Sequence, residues 1–202
     1  MEVVKTTVGF TTNQPIVDVE ISNNPRNLQG KLDPNKGNIC VAGFLVDNTM
    51  SQFLLKHDSQ KQAFKEAVAE FLASIANKKL HAFYIDMEQG CFTNLLGWSP
   101  RLHEVKPPIK GRGTTKDNFF TYLTKTDKVL PEELGFTDPL HGRGELCPEY
   151  WKNGRYEDVR QHNVCCLTKE AKILEHKEFI MEQLTEHINE NGWLSQDFSS
   201  LL

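Results

Sequence analysis

The chain reads as an α+β protein: a mixed sheet from its N-terminal half, a long amphipathic helix packed on that sheet, an irregular middle and a C-terminal helix closing the core. Three patterns predict this. Ile16-Val17-Asp18-Val19-Glu20-Ile21 alternates apolar and polar residues as a half-buried strand does. Phe64, Ala67, Val68, Phe71, Leu72, Ile75 and Ala76 recur with helical spacing, and so do Ile173, Leu174, Ile180, Met181, Leu184 and Ile188. The order strand, strand, helix, strand then selects α+β or mixed α/β packing.

In the first strand the alternation puts Val17, Val19 and Ile21 on the core face, leaving Asp18 and Glu20 on the other. Asn23-Asn24-Pro25 and Asp33-Pro34-Asn35-Lys36-Gly37 supply turn residues before the apolar run Ile39 to Val46, so the two strands pair across a long connection. Ser59 with Gln62 three residues on resembles a capping box and opens a helix over 59–77. Leu80 to Asp86 reads as a further strand and Leu102 to Lys106 as a shorter one, stopped by Pro107-Pro108. Residues 109–116 have loop composition, and a short helix carrying Phe119, Phe120, Tyr122 and Leu123 begins near Asp117. Pro131, Gly135, Pro139, Gly142, Gly144 and Pro148 make 131–155 irregular. The last helix runs from Thr168 to about Glu190 and stops at Asn191-Gly192, with Trp193 able to fold back on it. The whole of 1–202 fits one domain, in which 131–202 could form a subdomain.

Composition is that of a globular protein, 39% hydrophobic and 25% charged, with no apolar run near the roughly 20 residues that span a bilayer. The N-terminus lacks the basic, apolar and small-residue segments of a secretory signal, so a cytoplasmic location is expected. Five cysteines, an odd number, favour reduced thiols or metal ligands over a disulfide framework. A net charge of −4 argues against a histone-like coat on nucleic acid. Yet Arg101 to Lys128 holds seven cations against three carboxylates, a local field that suits an anionic partner or a solvated loop.

Glu66 or Glu70 on the long helix, Asp86 at a strand end and Glu104-Val105-Lys106 on the next strand bring together the residue types that Mg²⁺-dependent nucleases need. This order resembles the core pattern of the PD-(D/E)xK nuclease fold over about residues 60–110, although Ile85 rather than proline precedes Asp86. The resemblance implies Asp86 and Glu104 as Mg²⁺ ligands and Lys106 as the residue that orients water. Lys110, Arg112 and Lys116 would hold phosphates. The alternative is that Asp86 and Glu88 flank a turn while Glu104 and Lys106 line a solvated strand face. Asp86-Met87-Glu88 is also similar to the opening Asp-x-Glu of three-carboxylate exonucleases, but no later histidine-rich or aspartate motif completes such a site.

His162 and Cys165 have the two-residue spacing of a chelating turn, and His141 or Cys147 would complete a structural Zn²⁺ site. Against this, no Cys-x-x-Cys pair exists and Cys165-Cys166 fits a buried apolar pair. Gly111-Arg112-Gly113-Thr114-Thr115-Lys116 offers amides, hydroxyls and cations to phosphate but lacks the Gly-Lys-Ser/Thr ending of a Walker loop. Phe119, Phe120 and Tyr122 are either core or stacking platforms for single-stranded nucleic acid. Two functions of different class follow: a metal-dependent phosphodiesterase acting on nucleic acid or a nucleotide, and a non-enzymatic module or inhibitor whose basic 101–128 stretch holds an anionic ligand or an acidic protein surface.

Overall fold

The computed structural model describes residues 1–26, 31–108, 114–130 and 137–191, with side chains to 186. A four-stranded mixed sheet with six helices forms an α+β fold among these residues. The strands are β1 (Glu2–Ile21), β2 (Ile39–Leu54), β3 (Leu80–Ala82) and β4 (Leu102–Glu104), in the spatial order β2-β1-β3-β4. β1 and β2 pair antiparallel, while β3 pairs parallel to both β1 and β4. The helices are α1 (Lys61–Ser74), α2 (Ile85–Leu96), α3 (Lys116–Lys125), α4 (Cys147–Lys152), α5 (Tyr156–Glu175) and α6 (Lys177–Asn191). No helix among the described residues is long and apolar enough to cross a membrane.

Both strands of the opening pair run longer than their apolar stretches suggest, because paired backbone continues past the buried part. Thr7 pairs with Thr49 and Ile16 with Leu45, so β1 spends nine steps where β2 spends four. The surplus forms a bulge that bends the strand. Pro15 sits in it, as a residue without an N–H must. Beyond the bulge, Ile16 to Glu20 form the regular, buried part of β1.

One face of the sheet carries Val17, Val19, Ala42 and Phe44 against Phe64, Val68 and Leu72 of α1 and Phe92 of α2. The other face carries Ile16, Leu45 and Met50 against Val164, Leu167 and Ala171 of α5. β1 is therefore covered on both sides. Its expected polar face is not solvated: Asp18 is 3% and Glu20 6% exposed.

Several local expectations change. Strand β3 ends at Ala82 rather than Asp86, because Asp86 and Glu88 lie in the first turn of α2, where carboxylates complement the helix N-terminus. Gly97, in the left-handed region at φ 82°, ends α2. The Ser59/Gln62 box does not form, since 58–60 is a 3₁₀ turn without a side-chain cap and Gln62 instead donates to Glu66. The expected 168–190 helix is two helices broken at His176, and the first begins at Tyr156, directly after the stretch 131–155 whose composition reads as irregular and twelve residues before the expected start. Cys147–Lys152 is also helical. Phe119, Phe120 and Tyr122 are buried with Phe83, Val105 and Ile173, so they serve as core rather than as stacking platforms. Trp193 lies outside the described residues.

Gly43 leaves room for α5 to pack closely on β2. A methyl there would run into Asn163 Oδ1 and Leu167 Cδ1. Gly43→Ala should therefore lower stability by about 2–3 kcal/mol through overpacking, measured as a fall in the urea midpoint at unchanged slope.

Candidate functional site

Period-two geometry puts the Asp18 and Glu20 carboxylates on the same face of β1. Helical geometry does the equivalent on α5, where His162, Asn163, Cys166, Lys169 and Glu170 are all buried toward the sheet. The remaining parts come from ends of elements. Glu88 stands in the first turn of α2. Lys116 opens α3, whose N-cap Thr115 accepts a hydrogen bond from the Asn118 amide at 3.2 Å. Asp138 belongs to the turn preceding α4.

Lys116 joins the set. Its Nζ donates to Asp18 Oδ1 at 2.5 Å and to Glu170 Oε1 at 2.9 Å. The other Asp18 oxygen accepts from Asn163 Nδ2 at 2.9 Å, and Asn163 Oδ1 accepts from Gln52 Nε2 at 2.9 Å. Beside this runs a second chain: His162 Nδ1 lies 2.9 Å from Asp138 Oδ1, and the amides of Leu140 and Gly142 donate to the Asp138 carboxylate at 2.9 and 2.8 Å. His162 Nε2 faces Cys166 Sγ at 3.6 Å and Glu20 Oε1 at 3.9 Å, while the Cys147 thiol donates to Glu20 Oε2 at 3.1 Å. Lys169 pairs with Asp117 at 2.5 Å.

Burial acts on every charge here. It raises the Asp18 carboxyl, but the adjacent Lys116 charge outweighs it and the net shift is downward. Lys116 feels the opposite balance: burial lowers it, the Asp18 and Glu170 charges prevail, and it stays an ammonium. Glu20 is pushed up to about 8, chiefly by burial, although the His162 charge pulls the other way. Burial also lifts Glu88 and Glu170 well above the usual carboxylate range. Burial opposes the charge on His162, but Glu20, Cys166 and Asp138 raise it to about 12, so the ring is an imidazolium with Asp138 as its counter-ion.

Two of these carboxylates are incompletely satisfied. Glu88 Oε2 and Glu170 Oε2 are buried and have no hydrogen-bond partner. A buried oxygen of this kind costs about 1–3 kcal/mol unless something supplies a proton or a cation. Asp18, Glu20 and Cys166 offer ligand atoms within 4.8 Å of one another, and Glu20, Cys147 and His162 do the same. The cluster borders a cavity of about 460 Å³ whose lining includes Asp18, Glu20, Glu88, Lys116, His162 and Lys169. It lies beyond the carboxyl ends of the parallel strands β1 and β3, where open sheets present ligand crevices.

A second hollow of about 680 Å³ adjoins the first through Leu32, Tyr84 and Met87, which line both. Asp86, Glu104 and Lys106 line this second hollow. The three residues expected as a catalytic group thus share one groove, but neither Asp86 nor Glu104 belongs to a three-ligand group among the described residues. Of the expected phosphate ligands, Lys116 is turned inward to Asp18 and Glu170, and Lys110 and Arg112 lie outside the described residues. Of the expected zinc ligands, Cys147 and His162 meet at Glu20. His141 is exposed at φ 52°, and Cys166 rather than Cys165 reaches the imidazole.

Sequence reasoning passed over Asp18, Glu20, Glu88 and Glu170 as a group. A signal for the first two existed: Asp-x-Glu occurs twice, at 86–88 and at 18–20, and only the second lies on a strand, where that spacing brings both carboxylates to one face. No family model, curated protein or solved structure matches this chain.

Removing the internal cation should be costly. Lys116→Met is expected to destabilise the fold by about 3–5 kcal/mol, because Asp18 and Glu170 are left buried without their partner. The Asp18 carboxyl is lowered in the folded state, so its contribution is present above 3.8 and is lost as pH falls through the folded value. Denaturant unfolding of both proteins should show the gap narrowing below pH 3.8.

Proposed function

We propose that this protein is a divalent-cation-dependent phosphodiesterase acting on nucleic acid or a nucleotide, with Asp18 and Glu20 as cation ligands, Glu88 on the wall of the same cavity and Glu170 buried behind Lys116. One observation carries the proposal: four buried carboxylates converge beside an accessible cavity, and two of them present unpartnered oxygens. Lys169 and His162 are engaged by Asp117 and Asp138, and burial leaves Glu20, Glu88 and Glu170 holding protons above the usual carboxylate range. A divalent cation would displace such protons, and hard cations prefer oxygen donors.

A bound cation would polarise the phosphoryl oxygen and lower the pKa of its water. The chain's own residues supply the rest. Lys116 holds its proton near neutrality, so its role is to stabilise negative charge on a phosphate rather than to accept a proton. Asp138 and Asn163 fix the orientation of His162 and Asp18. The adjoining groove suits the remainder of an extended substrate, with Tyr84 43% exposed to stack on a base and Lys106 to meet a further phosphate.

A second reading, a non-catalytic module binding an anionic ligand or acidic protein, is favoured by Lys116, whose ammonium already neutralises Asp18 and Glu170 without any ion. Cleavage separates the two. With Mg²⁺ or Mn²⁺ and labelled single-stranded DNA or RNA, the wild type should cleave, Asp18→Asn and Glu20→Gln should lose at least about 100-fold, and Lys106→Ala should mainly raise KM. Full cleavage by Asp18→Asn, or none by the wild type, would overturn the enzymatic reading.

Cation binding should also change stability with pH. Glu20 is raised from 4.5 to about 8 in the fold, so its protonated form contributes stability that is complete below 4.5 and lost as pH rises to about 8. A cation competes with that proton. Across this window the melting temperature of the cation-free protein should fall while the increase produced by Mn²⁺ grows, and Glu20→Gln should flatten both trends.

A further inference from the structure

The thiols around Glu20 do not belong to a hard-cation site, and they stand close to an imidazole. We propose that Glu20, Cys147, His162 and Cys166 form a tetrahedral site for a borderline-soft divalent cation of the zinc class, which ties β1, α4 and α5 together. Tetrahedral sites with zinc-to-ligand distances of about 2.0–2.3 Å have ligand-to-ligand edges of about 3.3–3.8 Å. Three of the six donor pairs already stand near that spacing: 3.1 Å between Cys147 Sγ and Glu20 Oε2, 3.6 Å between Cys166 Sγ and His162 Nε2, and 3.9 Å between His162 Nε2 and Glu20 Oε1. Glu20 is shared by the two three-donor sets that hold Cys147 and Cys166, and a small rotation of its carboxylate brings one oxygen to both. Two sulfurs, one nitrogen and one oxygen make a donor set that zinc prefers over magnesium.

The surroundings match a metal-binding histidine. A ligating imidazole usually gives its other nitrogen to a carboxylate, which fixes the ring. Here Asp138 holds Nδ1, the Leu140 and Gly142 amides hold Asp138, and Nε2 is thereby aimed at the two sulfurs and Glu20. All four donors are buried, and Glu20, His162 and Cys166 line the cavity, which gives an ion its way in. On binding, the two thiol protons, the Nε2 proton and, below about pH 8, the Glu20 proton pass to solvent, leaving thiolates, a carboxylate and a neutral imidazole as ligands. Four protein donors close the coordination sphere, so the ion is structural.

The site touches the proposed hydrolytic cavity at Glu20 but does not depend on hydrolysis. Cobalt(II) titration of the wild type tests it directly, since thiolate ligation produces a sulfur-to-cobalt charge-transfer band and tetrahedral geometry an intense visible spectrum. The expected result is one Co²⁺ per chain with both features, displaced by one equivalent of Zn²⁺. Cys147→Ser and Cys166→Ser should each weaken the band and lower affinity at least about tenfold, while Cys165→Ser leaves both unchanged. Thiol titration gives a second measure that needs no variant: Zn²⁺ should protect two of the five cysteines. Absence of a charge-transfer band in the wild type, or a band indifferent to both Cys147 and Cys166, would overturn the proposal. Mg²⁺-dependent cleavage with no cobalt signal would remove this site and leave the phosphodiesterase; a cobalt signal without cleavage would do the reverse.

Discussion

The placement of Lys116 between Asp18 and Glu170 is the interaction on which the rest of the structure depends. It joins the sheet's central strand β1 to α3 and α5 through one ammonium that is 13% exposed. Ion pairs at this depth recover little beyond their desolvation cost, so the contact is weak evidence for stability. Its consequence is geometric. With Lys116 fixed, α3 cannot slide along α5 without stranding two buried carboxylates, and the Asn163 bonds to Asp18 set the height of α5 over the sheet.

Around that centre acid exceeds base. Asp18, Glu20, Glu88 and Glu170 crowd together, while the nearby cations are divided among them, Asp117 and Asp138. A core optimised for stability alone would replace such groups with apolar residues of similar volume. Retaining them next to an accessible cavity costs stability, and that pattern concentrates at sites that bind or transform something. The unpartnered oxygens of Glu88 and Glu170 locate the shortfall, and the two sulfurs beside Glu20 divide the cluster into an oxygen-rich end and a sulfur-rich end. Hard and soft cations would sort between them accordingly.

The sheet and α1 were legible because their buried faces are apolar. Val17, Val19, Phe64, Val68 and Leu72 obey periods of two and 3.6 and lie in the core as those periods require. The same rule misplaced Asp18 and Glu20. A period-two pattern assigns carboxylates to water unless something covers the second face, and what covers it is α5. That helix buries His162, Asn163, Thr168, Lys169, Glu170 and Lys172 among Val159, Val164, Leu167, Ala171 and Ile173, so polar side chains interrupt the apolar stripe that periodicity detects. Its first twelve residues, 156–167, carry no helix expectation for the same reason that makes it a candidate site: charges that neutralise one another in space look like solvated residues in sequence. Cys165 against Cys166 is a finer case. Spacings of three and four both fit one helix face, and only the rotation of α5 against the sheet brings Cys166 to the imidazole.

The basic stretch from Arg101 to Lys128 shows how far a local charge excess is from a surface. Lys116 points into the core. Lys106 lines the second groove, and Lys128 lies over the Phe179 ring at 4.5 Å, where a cation–π contact engages its charge. These three cations thus serve three different environments. What organises them is the acid they face. The inward cation neutralises the β1 carboxylates, while Lys106 borders a groove whose own acids, Asp86 and Glu104, would limit how much phosphate it can hold unless an ion sits between them. A polyanionic substrate can cross such alternating charge only with cations travelling alongside it. On the phosphodiesterase reading proposed above, the same electrostatics that gather the carboxylates at β1 would make cation dependence a condition of substrate binding as well as of chemistry.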